Sequence, residues 1–433
     1  MAESASNNSG HPPGLYLLFT VEMWERFSYY GMRAILVLYM VKSLAFNTEK
    51  AGSIYGWYTG LVYLTPMIGG YLADRYLGAR KCITIGAILM AIGEFSLMIP
   101  SMPFFYSALL FLIIGNGFFK PNISTTVGKL YAQNDPRRDG AFTIFYMGIN
   151  LGAFFSPLIC GTLGEKIGWK YGFCAAGIGM IAGLLTLLWG QNKYLGDAGK
   201  HPGMQVSKDQ KQEPLTREEK QRIAVIFILA FFVIFFWASF EQAGSSLTLF
   251  AEKSTDRVIS IVNWEFPASW FQSVNPLLIF ALAPLFSMLW LKLAKAGREP
   301  STPLKMATGL GLLTLGMLVM VAAAKMVDTT GNRVGLFWLM GCYLLCTLGE
   351  LCLSPIGLSL VTKLSPIRFG SLLMGIWFGS NFLANLIAGL FAGQYDSMSK
   401  TIFFMIPVAT AGSATIVLLL LVKSLRKWMH GVH

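Results

Sequence analysis

NKYLGDAGKHPGMQVSKDQKQEPLT, residues 192–216, is the longest polar interval in the chain. Lysine, aspartate, glutamine and proline crowd it, and apolar sequence flanks it on both sides. A spanning helix needs about 20 mostly apolar residues. Before the interval such stretches fall at 14–43, 51–76, 82–100, 104–128, 139–162 and 170–191. After it they fall at 217–251, 267–292, 303–325, 334–364, 368–395 and 400–422. The interval therefore divides twelve predicted transmembrane helices into two sets of six. The expected organisation is a disordered tail at 1–13, a six-helix bundle at 14–191, a cytoplasmic linker at 192–216, a second bundle at 217–425 and a tail at 426–433. Several stretches exceed the minimum and are expected to tilt or to continue into water. Thr216 and Glu219 have capping-box spacing, which starts the seventh helix there.

Composition agrees with an all-α membrane protein. The chain of 433 residues is 54% hydrophobic and 13% charged, with a mean hydropathy of +0.56. A soluble domain carries about 25% charged residues. The net charge of +12 does not point to nucleic acid, because the basic residues punctuate apolar helices and form no continuous face. With both termini inside, cytoplasmic segments and helix ends hold 22 of the 34 Lys and Arg residues and the outer ones hold 9. This is the positive-inside pattern, and it predicts a cytoplasmic-membrane protein with both termini cytoplasmic. The apolar run after Pro13 is too long for a cleaved signal region.

Charge appears where lipid disfavours it. Glu22, Glu25, Arg26, Arg33, Glu94, Lys120, Glu241 and Glu350 all lie inside apolar stretches. A charge near the bilayer centre costs roughly 2.5–3.5 kcal/mol on insertion scales, so such residues tend to face a protein interior or a wet path. Positions 22, 26, 29, 30 and 33 share one helical face. Glu22 and Arg26 can pair at i,i+4, with Glu25 beside them. Glu94 has no partner visible in the sequence and reads as a structural hydrogen-bonding group rather than a second proton site.

Other chemistry is sparse. Cys82, Cys160, Cys174, Cys342, Cys346 and Cys352 lie in or beside apolar segments without metal spacing, and buried cysteine is commonly a small apolar filler. The histidines occupy tails or a loop, so intramembrane proton chemistry falls to carboxylates. No phosphate-binding loop follows a predicted strand, and no Ser/His, His/Glu or Asp pair suggests an intramembrane hydrolase. The chain is expected not to be an enzyme and to need no cofactor or metal.

The segment GYLADRYLGARK at 70–81, with Gly70, Asp74, Arg75 and Arg80, resembles the signature loop of the major facilitator superfamily. The matching loop of the second half, around 285–300, keeps the basic character and little else. That resemblance implies two bundles of six helices, with the first, fourth, seventh and tenth lining a central cavity. Those helices carry all of the intramembrane charges except Glu94. Across them, three positive and two negative groups stand in the first half and two negative groups in the second. A zwitterion with separated ends suits such a cavity, its carboxylate on the cations and its ammonium on Glu350.

More specific is EMWERFSYYG at 22–31, which resembles the ExxERFxYYG signature of the proton-dependent oligopeptide transporter family. Phe118-Phe-Lys120-Pro121-Asn122, in the context Gly115-Asn-Gly117, and the run from Phe142 through Asn150 to Phe154 resemble its fourth- and fifth-helix motifs. Trp237-Ala-Ser-Phe-Glu241-Gln242 and Glu350-Leu-Cys-Leu-Ser354-Pro355 resemble its later ones. The likeness runs from about residue 15 to 425. It implies proton-coupled uptake of di- and tripeptides by a monomer in the lipid bilayer, with protons as the coupling ion. Glu22, Glu25, Arg26, Arg33, Lys120 and Glu241 are implied in proton coupling, Glu241 also forming a gate with Arg33. Arg26, Arg33 and Lys120 would take the peptide carboxylate and Glu350 the amine. Tyr30, Tyr63, Asn150, Asn275, Trp237, Ser354 and Trp377 match cavity positions, although Tyr63 and Trp377 also read as ordinary packing. A symporter of another anionic or zwitterionic solute, such as nitrate or a peptide-like drug, is the alternative. Bacterial members usually carry two further helices between the sixth and seventh, for which 192–216 is too short and too polar.

Overall fold

A computed structural model of the chain describes residues 10–132, 135, 137–202, 215–261, 263–366 and 369–431, with the side chains of 354–359, 362 and 371 outside the described set. The first half contains α1 (Pro13–Lys42), α2 (Thr48–Leu72), α3 (Ala79–Ser96), α4 (Met102–Lys129), α5 (Arg138–Ser156) and α6 (Trp169–Tyr194). The second contains α7 (Arg217–Phe240), α8 (Ser246–Ser254), α9 (Val274–Lys295), α10 (Thr302–Thr330), α11 (Phe337–Leu364), α12 (Gly370–Ala392) and α13 (Lys400–Trp428). α7 and α8 are two pieces of one crossing, so the helices make the twelve-span major facilitator fold.

Among the described residues, eight helical segments are long and apolar enough to cross a membrane on length and composition alone. α1 falls outside that count despite its 30 residues, because Glu22, Glu25, Arg26 and Arg33 lie along it. Its fully buried apolar residues, among them Leu15, Leu18, Met32, Ile35 and Met40, keep it in the protein interior. α2, α4, α9 and α13 each contain a proline, a residue that membrane helices tolerate where neighbouring groups can re-satisfy the freed backbone.

Several expected boundaries shift for identifiable reasons. The seventh span is not continuous over 217–251. It breaks into a 3-10 turn at Glu241–Gly244 before α8. The fifth runs beyond 162 as π-helical turns at Pro157–Gly161 and Leu163–Ile167. Residues 334–335, expected in a helix, form a short strand instead. β1 (Thr255–Asp256) pairs in parallel with β4 (Val334–Gly335), and β2 (Val258–Ile259) pairs antiparallel with β3 (Trp264–Glu265). The C-terminal tail begins later than 426, since α13 continues to Trp428. The first tail is shorter than 13, since Pro13 opens α1, and residues 1–9 lie outside the described set.

Thr216 caps α7 with the full capping box: its hydroxyl accepts from Glu219 N at 3.2 Å, and Glu219 returns a bond to Thr216 N at 2.9 Å. At the other end of the linker, α6 passes 191 and its following turn docks on Arg80. The Arg80 guanidinium donates to Ala198 O at 2.8 Å and to Gly196 O, and Gly199 O accepts from Arg80 N at 2.9 Å. Residues 203–214 of the linker lie outside the described set.

Two compact units emerge, and they cut across the two sequence halves. One comprises 1–32, 65–156 and 173–206; the other comprises 33–64, 157–172 and 207–433. The second unit joins the C-terminal part of α1, most of α2 and the α5–α6 turn to second-half helices. One close backbone seam in it lies between α2 and α12. A Cβ on Gly389 would stand 2.2 Å from Gly56 Cα, and one on Gly52 would stand 2.5 Å from Gly389 O. Small residues permit this backbone-to-backbone approach.

Candidate functional site

The intramembrane charges collect into three clusters, one in the first unit and two in the second. In the first, Arg26 on α1 is 2% exposed and is held by two carboxylates. Its Nη2 donates to Glu25 Oε1 at 2.8 Å, its Nε also bonds Glu25, and Glu22 Oε1 lies 3.2 Å from Nε. Asn116 on α4 donates to Glu25 Oε1 at 3.3 Å. The guanidinium lies over the rings of Tyr29 at 5.2 Å and Tyr30 at 6.0 Å. Lys120, half-buried on α4, acts electrostatically on Glu22. Glu22 Oε2 is buried without a hydrogen-bond partner among the described residues.

A buried ion pair persists only when its desolvation is offset by close geometry and further hydrogen bonds. Arg26 meets that condition through one fork and one lateral contact. Glu22 meets it through one oxygen only. The cluster is therefore held together with one Glu22 oxygen left unsatisfied among the described residues. Glu94 belongs to the same unit and is fully buried on α3. Its Oε1 accepts from Ser28 at 3.3 Å and its Oε2 has no partner among the described residues. Asn150 is buried on α5 and donates back to Tyr146 O at 3.0 Å. In the loop of this unit, Arg75 is exposed and donates to Tyr71 at 2.6 Å, while Arg80 is buried against the end of α6. Gly70 lies near the end of α2 and Asp74 in the π-helical turn Ala73–Leu77 that follows it.

In the second unit Arg33 donates to Glu241 and, at 2.7 Å, to the Tyr55 hydroxyl. Glu241 sits in the 3-10 break after α7, 5% exposed. The break brings its carboxylate to Arg33, and Gly244 makes room: a Cβ there would stand 1.9 Å from Tyr55 Oη. The other cluster joins α9 to α11. Asn275 Nδ2 donates to Glu350 Oε2 at 2.8 Å and to Thr347 Oγ1 at 3.0 Å. Among the described residues no cation pairs with Glu350, which is 8% exposed. Trp237 is half-buried, edge-on to Phe236 and Phe240. Trp377 is buried on α12 and Tyr63 half-buried on α2. The Ser354 side chain lies outside the described residues.

Arg33 pairs with Glu241, as the resemblance implies, while Arg26 is held by Glu22 and Glu25. Arg33 falls in the second unit and is neutralised by Glu241, so each unit carries both signs. Asn116, Tyr55, Thr347 and Ser28 are partners the sequence reading did not single out. Asn116 stood inside the quoted Gly-Asn-Gly context, so an amide in an apolar run was the available signal. Hydroxyl groups in helices carry no comparable signal, because they commonly bond the preceding turn.

No metal-competent cluster of His, Cys, Asp and Glu occurs among the described residues, and all six cysteines are thiols. A polytopic helical membrane protein of the major facilitator fold, with buried ion pairs on α1 and in the turn after α7 and a buried carboxylate on α11, has the build of a secondary transporter. The chain is 36% identical to the peptide transporter YePEPT of Yersinia enterocolitica, over 95% of its own length and 94% of the relative's. It is 32% identical to a di-/tripeptide transporter of Lactococcus lactis subsp. cremoris, over 98% and 97%. Among solved structures it is similar to a variant of a peptide transporter POT in complex with alafosfalin. The TM-score is 0.90 at 33% identity, covering 98% of this chain and 97% of that one. Residues 80–202 and 195–410 match the POT family, and the chain belongs to it. Both alignments to the relatives run longer than the 433 residues of this chain, at 484 and 487 positions. The relatives therefore carry stretches with no counterpart here, in keeping with the short interval between α6 and α7.

Proposed function

We propose that the protein is a proton-coupled symporter that imports di- and tripeptides by alternating access. One observation carries this reading: Arg26 is shared between Glu22 and Glu25 in a buried cluster beside Lys120, and Glu22 has an oxygen left without a partner. A peptide carboxylate that takes the Arg26 fork releases Glu25 from it. The released carboxylate, buried and stripped of its cation, binds a proton. The bidentate geometry of arginine suits the incoming carboxylate as well as the resident one. Glu350, backed by the neutral amide of Asn275, holds the peptide ammonium. The relatives' names, di-/tripeptide transporter and peptide transporter, and the alafosfalin complex of a structural neighbour support the substrate class.

Moving one charge through the membrane potential yields about 2.3 kcal/mol per 100 mV, enough to bias accumulation. The chain works as a monomer in the cytoplasmic membrane with both termini inside, protons its coupling ion. The two sequence halves act as the moving bundles. The test is proteoliposome uptake of a labelled dipeptide with pH and voltage imposed separately. Uptake should respond to both, compete with dipeptides and ignore free amino acids. Glu25→Gln should lose concentrative uptake and keep exchange. Uptake indifferent to pH and voltage, or full accumulation by that variant, would remove the symport reading.

A further inference from the structure

We propose that Glu165 is the latch of the outer gate, clamping the α5–α6 turn onto the start of the segment that leads into α9. This rests on the transporter reading above and names a gating residue for it. The first amides of a helix lack intrahelical acceptors. Here the Glu165 carboxylate supplies them: Oε2 accepts from Ala268 N at 2.9 Å and Oε1 from Ser269 N at 3.0 Å. The 3-10 turn Ala268–Ser269 opens runs through Ser273 directly into α9, so the carboxylate also meets the positive end of a continuous helical dipole.

Three further contacts seat the same two segments. Trp270 Nε1 donates to Thr162 Oγ1 at 2.9 Å. Lys166, next to the latch, lies over the Trp264 ring at 5.9 Å, and Trp264 meets Trp270 edge-on. Gly161 approaches so closely that a Cβ on it would stand 2.0 Å from Ser269 Oγ. All of these residues belong to the second unit. They come from opposite sequence halves, so they must separate whenever the two halves part at the end remote from the termini. Glu165 is the only charged side chain among the residues just named whose bonds go to backbone amides, and such fork bonds hold only while the carboxylate faces both donors. At the same end the exposed Lys42 pairs with the half-buried Glu252, which Arg257 also holds at 2.7 Å.

The native Cys160 supplies the readout. It is fully buried one residue before Gly161. In nanodiscs, where both faces are reachable, a membrane-impermeant maleimide should modify Cys160 slowly in the native chain, as located by peptide mass mapping. Glu165→Ala should raise that rate on the order of tenfold. Glu165→Gln, which keeps an acceptor oxygen, should raise it less and carries the test if the alanine variant fails to fold. Equilibrium dipeptide affinity should stay within about twofold while turnover changes, since Glu165 touches no proposed substrate group. Equal Cys160 labelling in the native chain and in whichever variants fold would overturn the latch. Absence of peptide uptake by the native chain would strike the transport reading and leave the labelling result intact.

Discussion

Asn275 on α9 donates its amide to Glu350 on α11 at 2.8 Å, and the same nitrogen reaches Thr347 at 3.0 Å. A neutral donor therefore orients the carboxylate proposed to hold the peptide amine. Asn275→Leu should leave Glu350 misdirected. Hydrogen bonds to charged groups contribute roughly 1.5–3 kcal/mol, so dipeptide KM should rise by about tenfold or more. An N-acetylated dipeptide, which lacks the ammonium, should be taken up no worse by the variant than by the native chain. Uptake kinetics for the two substrates check this.

Arg26 grips Glu25 with a fork and Glu22 with the same Nε. Lysine offers a point charge and cannot bridge two carboxylates in this way. Arg26→Lys should therefore abolish both concentrative uptake and exchange, unlike Glu25→Gln. Counterflow in proteoliposomes separates the two outcomes.

Arg80 donates to the carbonyls of Gly196 and Ala198, tying the α2–α3 loop to the end of α6. Arg80→Ala leaves two carbonyls without their donor, at about 1–3 kcal/mol for each that stays dry. Limited proteolysis should cut the 196–216 region several-fold faster in the variant, while Arg75→Ala, whose side chain is exposed, should match the native rate.

Asp135, between α4 and α5, is held down at about 2, first by its side-chain hydrogen bond from Arg137 and then by the Arg137 backbone amide. A carboxylate depressed in this way stabilises the native chain above its usual range near pH 4, and that contribution is lost only as pH falls toward 2. Asp135→Asn should consequently leave the shape of the transport pH profile between about 5 and 8 unchanged. A displaced midpoint in that window would show that this loop takes part in proton coupling.

Much of the architecture was readable before any coordinates. Lipid demands about 20 apolar residues per crossing, and the chain supplies twelve such runs. The capping box at Thr216 was local and therefore visible. What escaped was long-range or hidden by composition. Arg33 lies 208 residues from Glu241, and no periodicity announces a pairing at that distance; only the family resemblance suggested it. The break at 241–244 was masked by the apolar residues on either side, since hydropathy does not register a change from α to 3-10 geometry. The π-helical turns at 157–167 escaped for the same reason. Helical spacing placed Arg26 and Arg33 on one face, but it could not say which neighbour each would meet.

Replacing the glycines at the seam of α2 and α12 tests how close that approach must be. The nearest atoms to a Cβ on Gly389 are backbone, which cannot swing aside. Gly389→Ala should cost about 1–3 kcal/mol through overpacking, lowering the thermal midpoint in detergent, whereas Gly370→Ala, with nothing within 4 Å, should not. Where Gly52, Gly56 and Gly389 meet, main chain rests on main chain. Such a joint interlocks no rotamers and wets little greasy surface when it parts. It resembles two machined plates more than a zip: firm under compression, quick to lift, and ready to close again in the same register.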